Sequence, residues 1–248
     1  MTLEKRLTIG LFSIAALLVI GSTLFLTNGG RIAVLIIVAT GILYGALRFY
    51  IKNRHTQALA ATAQELGLEL IKDMAAEKGN PDLAYFRRTL DNQTYHWRIA
   101  GSFPFLTGKI NGEIVTIRVP EGVDFDTAAP NSTRIAVHKR SKLGRIFIYS
   151  KEFKENAPRK EFLLTDPEFN RHFYATGPNR DIVEEIISKD AQAALAAIGP
   201  YACRGIEVNR YGVYLHADGI ITEPEEMSSR LNAVSLIASN IQETEKGR

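Results

Sequence analysis

The sequence lacks most of the residue patterns from which common functional sites are built. Its single cysteine, Cys203, excludes an intramolecular disulfide and a cysteine-rich zinc site. The five histidines are far apart, and none has the partner spacing of a helical metal site. Neither a Gly-x-Ser-x-Gly nucleophile motif nor a Gly-x-x-x-x-Gly-Lys phosphate-binding loop occurs. We therefore expect a protein without a metal, a cofactor or enzymatic activity.

The chain also lacks an excess of charge outside its N-terminal part. Of its 248 residues, 30 are Lys or Arg and 27 are Asp or Glu, which gives a formal charge of +3. Residues 1–51 carry four basic residues and one acidic residue, and the rest of the chain carries 26 of each. The excess positive charge is therefore no evidence for a nucleic acid partner. The hydrophobic content of 46% with 23% charged residues indicates a folded chain.

Long uncharged segments dominate the N-terminal part. Residues 7–27 contain no charged side chain, and a helix of that length matches a hydrocarbon core of roughly 30 Å. Residues 32–47 are again uncharged, and Arg48–Ile51 extend this segment to membrane-spanning length. The sequence therefore predicts a transmembrane helical hairpin at residues 1–51, with helices at about 7–27 and 32–51 and the lipid bilayer as its partner.

The basic residues beside these helices predict their orientation. Lys5 and Arg6 precede the first helix and Arg48 ends the second, whereas only Arg31 lies between them. Because cytoplasmic loops carry the excess of Lys and Arg, both termini are expected in the cytoplasm. A cleaved signal peptide is the alternative interpretation of the first segment, although its apolar stretch exceeds the usual length of about 7–15 residues.

Gly41 and Gly45 form a Gly-x-x-x-Gly pair within the second predicted helix. Such small residues let two helix backbones approach closely. We favour packing of this face against the first helix of the same hairpin. Homodimerisation through the same face is the alternative.

A helical stalk is predicted at residues 52–67. Thr56–Leu66 is rich in helix-forming residues, and Gly67 is a natural helix end. The stalk leads into a domain at residues 68–248, which is long enough to enclose a single core.

Short segments with alternating polar and apolar residues predict strands in this domain. They lie at Tyr95–Ile99, Leu106–Ile110, Glu113–Val119, Arg134–His138, Arg145–Tyr149, Cys203–Val208 and Val213–His216, with shorter candidates at Glu161–Leu164 and His172–Ala175. Asn111-Gly112 predicts a tight hairpin turn between the second and third segments. We expect Arg134–His138 to pair with Arg145–Tyr149, because short connections favour antiparallel neighbours.

Helices are predicted towards the C-terminus. Asp181–Ile198 reads as helical, with a break at Lys189-Asp190. Thr222 as N-cap and Glu225 three residues later form a capping box for a final amphipathic helix. Its apolar residues recur at spacings of three and four, at Met227, Leu231, Val234, Ala238 and Ile241. The predicted fold class is therefore α+β: a transmembrane hairpin, then a soluble, mainly antiparallel sheet domain with a C-terminal amphipathic helix.

Positive charge is concentrated in one part of this neutral domain. Residues 138–160 hold eight basic residues and two acidic residues. Lys139, Arg140, Lys142 and Arg145 lie at the tip of a predicted hairpin. Near an anionic membrane surface each such cation contributes about 1 kcal/mol, so these four are candidate contacts for anionic lipid headgroups. A solvated turn without a ligand is the alternative.

Several of these features together resemble bacterial membrane-anchored proteins of unknown function. The resemblance is carried by the two membrane helices, the stalk ending in Glu65–Leu70, the hairpin Leu106–Ile117, the segment Asp166–Tyr174 and the closing strand pair with its helix. It implies a bacterial inner-membrane protein with both termini cytoplasmic, and it carries no catalytic residues. The strands and final helix also resemble bacterial pleckstrin-homology-like modules, from which the helical stretch Asp181–Ile198 departs.

Three functions follow from these observations. The leading hypothesis is a non-enzymatic integral membrane protein whose cytosolic domain binds a protein partner or organises a membrane complex. The alternative is a peripheral lipid- or ligand-sensing module that uses the basic hairpin. An enzyme is the third, and it would need a polar pocket that brings His96, His172 or His216 together with Asp166 or Glu168.

Overall fold

The computed structural model describes residues 10, 13–20, 29–99, 102–119, 132–156, 161–200 and 203–246. The chain forms two compact units, Met1–Thr56 and Gln57–Arg248.

A single long helix, α1, runs from Gly29 to Leu66. Its segment Ile32–Leu66 is long and apolar enough to cross a membrane, with a mean hydropathy of 2.2 in its most apolar part, and no other helix among the described residues meets both conditions. The helix ends as predicted at Gly67, whose φ of 66° is a left-handed conformation that glycine adopts without steric cost. The first predicted membrane helix, at residues 7–27, falls largely outside the described residues, so the hairpin stays a prediction.

The Gln57–Arg248 unit is built on one antiparallel sheet, as predicted. Its eight described strands follow the order β1-β2-β3-β4-β8-β7-β5-β6. They are β1 (Glu69–Ile71), β2 (Ser102–Ile110), β3 (Glu113–Val119), β4 (Arg134–His138), β5 (Ile146–Ser150), β6 (Phe173–Thr176), β7 (Cys203–Asn209) and β8 (Gly212–Ala217). The sheet with its helices confirms the α+β class.

Helices cover both faces of this sheet. After α1 the described helices are α2 (Met74–Gly79), α3 (Pro81–Thr89), α4 (Asn92–Arg98), a 3-10 segment (Lys151–Asn156), α5 (Pro167–His172), α6 (Arg180–Ile186), α7 (Lys189–Ile198) and α8 (Pro224–Lys246). On one face α8 packs on β4 and β8 and is joined by α6 and α7. On the other face α2, α3 and α4 enclose a smaller apolar cluster around Phe105 of β2.

The main core lies on the face covered by α8. Alternate residues of each strand point into it, including Ile117 of β3, Ile135 of β4 and Leu215 of β8. In α8 the five apolar residues that the sequence placed on one face are all buried, namely Met227, Leu231, Val234, Ala238 and Ile241. The helix starts at Pro224, one residue later than a Thr222 cap requires, and the Thr222 hydroxyl instead donates to the Glu223 carboxylate.

The segment Tyr95–Ile99 is helical, and the prediction of a strand there was wrong. The Asp91 carboxylate accepts a hydrogen bond from the Thr94 amide at 2.8 Å and so caps α4. Tyr95 and Ile99 are one helical turn apart and both are buried, at 2% and 1% exposure. Apolar residues at positions i and i+4 share a face in a helix and also in a strand. The spacing of Tyr95 and Ile99 therefore does not distinguish the two structures.

The pairing of β4 with β5 was also predicted wrongly. β4 pairs with β3 and β8, whereas β5 pairs with β6 and β7. The hairpin of β7 and β8, which was predicted correctly, lies between them. Its apolar residues meet apolar partners on both sides, with Leu215 opposite Ile135 and Ile206 opposite Ile148.

Other turns match the sequence closely. Asn111 and Gly112 have φ values of 52° and 81°, as the hairpin of β2 and β3 requires. A break within 181–198 is present, but it falls at Ile187 and Ser188, two residues before the predicted Lys189-Asp190, and the Ser188 hydroxyl accepts from the Ala191 amide to cap α7. The candidate strand at 161–164 contributes only a bridge between Phe162 and Ala175.

Candidate functional site

The face of the sheet opposite the main core carries a row of charged and polar side chains. Arg118 on β3 lies opposite Arg134 on β4, and Arg134 lies opposite His216 on β8. Tyr214 is two residues before His216 and points to the same face. These four side chains are almost completely buried, with exposures of 1%, 1%, 2% and 0% in that order. We call this group, together with Arg98, His138 and Glu207, the polar cluster.

Strand geometry explains why these residues meet. In β4 the apolar residues Ile135 and Val137 enter the main core, which places Arg134 and His138 on the opposite face. β3 and β8 alternate in the same way, and their registers with β4 align the polar residues across three strands. Helix α4 then contributes Arg98, whose guanidinium carbon lies 5.2 Å from the centre of the Tyr214 ring.

Glu207 on β7 is the carboxylate of the polar cluster. Its two oxygens accept from Arg98 Nη1 at 3.3 Å and from Arg145 Nε at 3.0 Å. The Asn209 side-chain amide donates a further hydrogen bond at 2.7 Å. Burial alone would raise the pKa of Glu207, but this hydrogen bond and the charges of Arg98 and Arg145 hold it below its ordinary value. Glu207 is therefore ionised at neutral pH.

The two histidines of the cluster are neutral at pH 7. Burial and then the charges of Arg118, Arg134 and Arg98 lower the pKa of His138 to about 3. Burial and the same three charges lower the pKa of His216 well below 6.5. The His138 ring lies 5.3 Å from that of Phe86, and its Nε2 is 2.8 Å from the Thr116 hydroxyl.

A second basic feature is a cleft of about 480 Å³. It is lined by Thr89, Leu90 and Asp91 of the α3–α4 corner, Arg140, Ser141 and Lys142 after β4, and Arg210 and Tyr211 of the β7–β8 turn. The Ser141 amide donates to the Arg210 carbonyl at 3.2 Å, which holds the last two segments together. We call this the basic cleft.

The structure divides the four predicted lipid contacts into two pairs. Arg140 and Lys142 are exposed and line the basic cleft. Lys139 turns away to Glu113, with 3.1 Å between its Nζ and the carboxylate, and Arg145 pairs with Glu207. Sequence reasoning missed Arg210, which joins the cleft from a hairpin turn about seventy residues further along the chain.

The Gly41–Gly45 face is exposed in α1. A Cβ atom built at either glycine meets nothing within 4 Å. The buried residues described in this helix are others, namely Ala33, Thr40, Ile51, His55, Ala58, Leu59, Thr62 and Ala63. The described residues therefore show no helix packed on this face, and both interpretations of the pair stay predictions.

Of the residues proposed for an enzyme, His172 shares the short helix α5 with Glu168, whereas His216 lies apart from Asp166 and Glu168. Asp166 caps α5, accepting from the Glu168 amide at 2.7 Å, and the α5 residue Phe169 lies in the main core. His216 lies on the opposite face of the sheet. No group of three or more His, Cys, Asp or Glu among the described residues is placed to hold a metal ion. Burial raises the pKa of Cys203 to about 12, which keeps this thiol protonated.

Comparison with known proteins gives one weak similarity. No family model and no curated protein matches this chain. A solved structure, the crystal structure of the mycobacterial trehalose monomycolate transport factor A, TtfA, aligns with a TM-score of 0.45 and 16% sequence identity. The alignment covers 75% of this chain and 94% of that one.

Proposed function

We propose that this protein is a non-enzymatic, membrane-anchored binding protein whose domain contacts anionic lipid headgroups through the basic cleft. The observation that carries the proposal is the convergence of Arg140, Lys142 and Arg210 on one open cleft. Binding of a protein partner, homodimerisation and organisation of a membrane complex stay predictions.

The charge distribution in the cleft supports an anionic ligand. Three cationic side chains line it, and among its described lining residues the single acid is Asp91, whose carboxylate already accepts from the amide and the hydroxyl of Thr94. Near an anionic membrane surface the three cations together contribute about 3 kcal/mol. This is enough for weak, reversible contact, which suits a domain that an apolar helix already holds at the membrane.

The proposal includes a membrane topology. We place the N-terminal helices as a hairpin in a bacterial inner membrane, with both termini on the cytoplasmic side where Lys5, Arg6 and Arg48 lie. The domain that carries the cleft would then be on the same side of the membrane as the leaflet rich in anionic lipids. Reporter fusions at the C-terminus test this placement, because a reporter that is active only in the periplasm should be inactive there. Activity of that reporter would contradict it.

The lipid contact is tested with the compact unit of residues 57–248. We expect this fragment to co-sediment with vesicles of phosphatidylcholine and phosphatidylglycerol, and not with vesicles of phosphatidylcholine alone. The double variant R140Q/R210Q should bind about tenfold more weakly or worse. Circular dichroism of each variant checks that it is folded.

A matched control removes two arginines outside the cleft. R171Q/R180Q takes away Arg171 and Arg180, whose side chains are 68% and 58% exposed and pair within their own helices. It should bind like the wild type. Equal loss in both double variants would show that net charge alone governs binding, and it would remove the cleft from the proposal.

A further inference from the structure

The polar cluster contains hydrogen-bonding atoms that are buried without a partner. Neither ring nitrogen of His216 has one among the described residues, and the same holds for the Tyr214 hydroxyl and for Nδ1 of His138. The three side chains are 2%, 0% and 4% exposed. A buried polar atom without a hydrogen bond costs about 1–3 kcal/mol, so a group of them indicates a position that another molecule can complete.

The charges around His138 and His216 indicate which charge a bound molecule would carry. Arg98, Arg118 and Arg134 all act on both histidines, and each opposes the addition of a proton there. The carboxylate of the cluster, Glu207, is held by Arg98 and Arg145. The potential around His216 and Tyr214 is therefore positive, and it favours an anion over a neutral water molecule or a cation.

The chemistry of the unpartnered groups narrows the ligand to an oxyanion. A neutral imidazole has one N–H donor, and the Tyr214 phenol, whose pKa is raised by burial, stays protonated and can donate its O–H. Two donors on neighbouring residues of one strand face suit the oxygens of a single phosphate or carboxylate group. Packing alone does not explain the polar cluster. If apolar side chains of similar volume replaced it, the domain would often be equally stable or more stable.

We propose that the polar cluster binds one oxyanion group, a phosphate or a carboxylate, with Tyr214 and His216 as hydrogen-bond donors beside Arg134. This site is distinct from the basic cleft and shares no residue with it. It holds its ligand by specific hydrogen bonds on the buried face of the sheet, whereas the cleft offers exposed charge. The two proposals therefore fail independently.

The test measures ligand-dependent thermal stability of the full chain in detergent. Sodium phosphate and sodium acetate are compared with sodium chloride at equal ionic strength, and dihexanoylphosphatidic acid is compared with dihexanoylphosphatidylcholine. We expect at least one oxyanion probe to raise Tm above its control. A response to phosphate or acetate indicates a free anion as the source, and a response to the phosphatidic acid alone indicates a lipid headgroup. Equal Tm in every pair overturns the proposal.

Variants then locate the site. Tyr214→Phe removes one oxygen and should weaken the apparent affinity about tenfold, and His216→Gln should weaken it similarly. Tyr174→Phe is the matched control, because its hydroxyl is also buried without a partner in the described part of the chain, and the charge that acts on it is that of Glu161. It should keep wild-type affinity for every probe. Full affinity in Tyr214→Phe and His216→Gln overturns the proposal. If His216→Gln does not fold, Tyr214→Phe decides alone.

Discussion

At β4 and β8 both faces of the sheet are buried, but they are built from opposite kinds of side chain. On the α8 face Ile117, Ile135 and Leu215 are fully buried among other apolar residues. On the other face their strand neighbours Arg118 and Arg134 are only 1% exposed. Alternating strands usually bury one face and expose the other to water. Here the second face is covered as well, and this is what makes its polar content informative.

The two faces of the sheet contribute differently to the stability of the domain. The apolar face carries the larger hydrophobic cluster and therefore most of the hydrophobic free energy that the domain gains on folding. The polar face adds desolvation costs that ion pairs offset only in part. This face adds little to stability and still keeps two arginines, two histidines and a glutamate on neighbouring strands, which supports the proposal that it binds a ligand. Four measurements test this contrast between the two faces.

The largest loss of unfolding free energy is expected when a side chain of the apolar face is truncated. Phe169 of α5 is fully buried and stacks on Phe173 with 5.4 Å between ring centres. Phe169→Ala should lower the free energy of unfolding by about 3–5 kcal/mol, because it removes buried apolar surface and leaves a cavity. Urea denaturation measures this loss. Tyr85→Ala, at a position that is 48% exposed, is the control and should lose much less. Similar losses in both variants would contradict the assignment of the core to the α8 face.

A smaller loss of unfolding free energy is expected when Glu207, the carboxylate of the polar face, is replaced. Glu207→Gln should lower the free energy of unfolding by about 2 kcal/mol, since Arg98 and Arg145 lose the charge that holds them. Glu184→Gln serves as the control, because its partner Arg180 is 58% exposed and surface pairs contribute little. A loss at Glu207 no greater than that at Glu184 would show that the arginines do not depend on this residue.

Local features of the fold could be predicted from the sequence. Asn111-Gly112 identifies a hairpin because few other residue pairs adopt two positive φ angles. Gly67 identifies the end of α1, because glycine readily adopts the positive φ that ends a helix. The strand order could not be predicted, because β4 and β8 are separated by more than seventy residues and their pairing depends on matching apolar surfaces across the whole sheet.

The candidate sites were predictable to different degrees. The charge count in residues 138–160 identified Arg140 and Lys142, because both lie in one loop. It also included Lys139 and Arg145, which turn to acids that only the folded chain brings near. The row of Arg118, Arg134 and His216 exists only once β3, β4 and β8 are placed side by side, so alternation within one strand could not reveal it.

A smaller effect is expected from the neutral histidines. His138 has a pKa of about 3 in the folded protein and 6.5 as an ordinary side chain, so between these values the unfolded chain binds the proton and the folded chain does not. Stability therefore rises with pH through this window and is lost as pH falls below 6.5. His138→Gln should reduce the slope of unfolding free energy against pH by about 1 kcal/mol per pH unit.

The useful range for this measurement is from pH 6.5 down to about pH 4.5. Carboxylates with ordinary pKa values titrate mainly below it, and the lowered pKa of Glu207 moves that group further out of range. Denaturation in chloride buffers at several pH values gives the slope for the wild type and the variant. Parallel curves would show that His138 is protonated in the folded protein, and that the polar face is less positive than the structure indicates.

The smallest change in unfolding free energy is expected for Tyr214→Phe, and it tests whether the polar face already holds an anion in the purified protein. Without added oxyanion, Tyr214→Phe should change the free energy of unfolding by less than about 1 kcal/mol and can raise it, because the variant removes a buried hydroxyl that has no partner among the described residues. Thr116→Val is the contrasting variant, since it breaks the 2.8 Å bond to His138 and should lose about 1 kcal/mol. A loss in Tyr214→Phe larger than in Thr116→Val would mean that the Tyr214 hydroxyl is already bonded in the purified protein. Dialysis against chloride and a second measurement would then show whether that partner is an anion that can be removed.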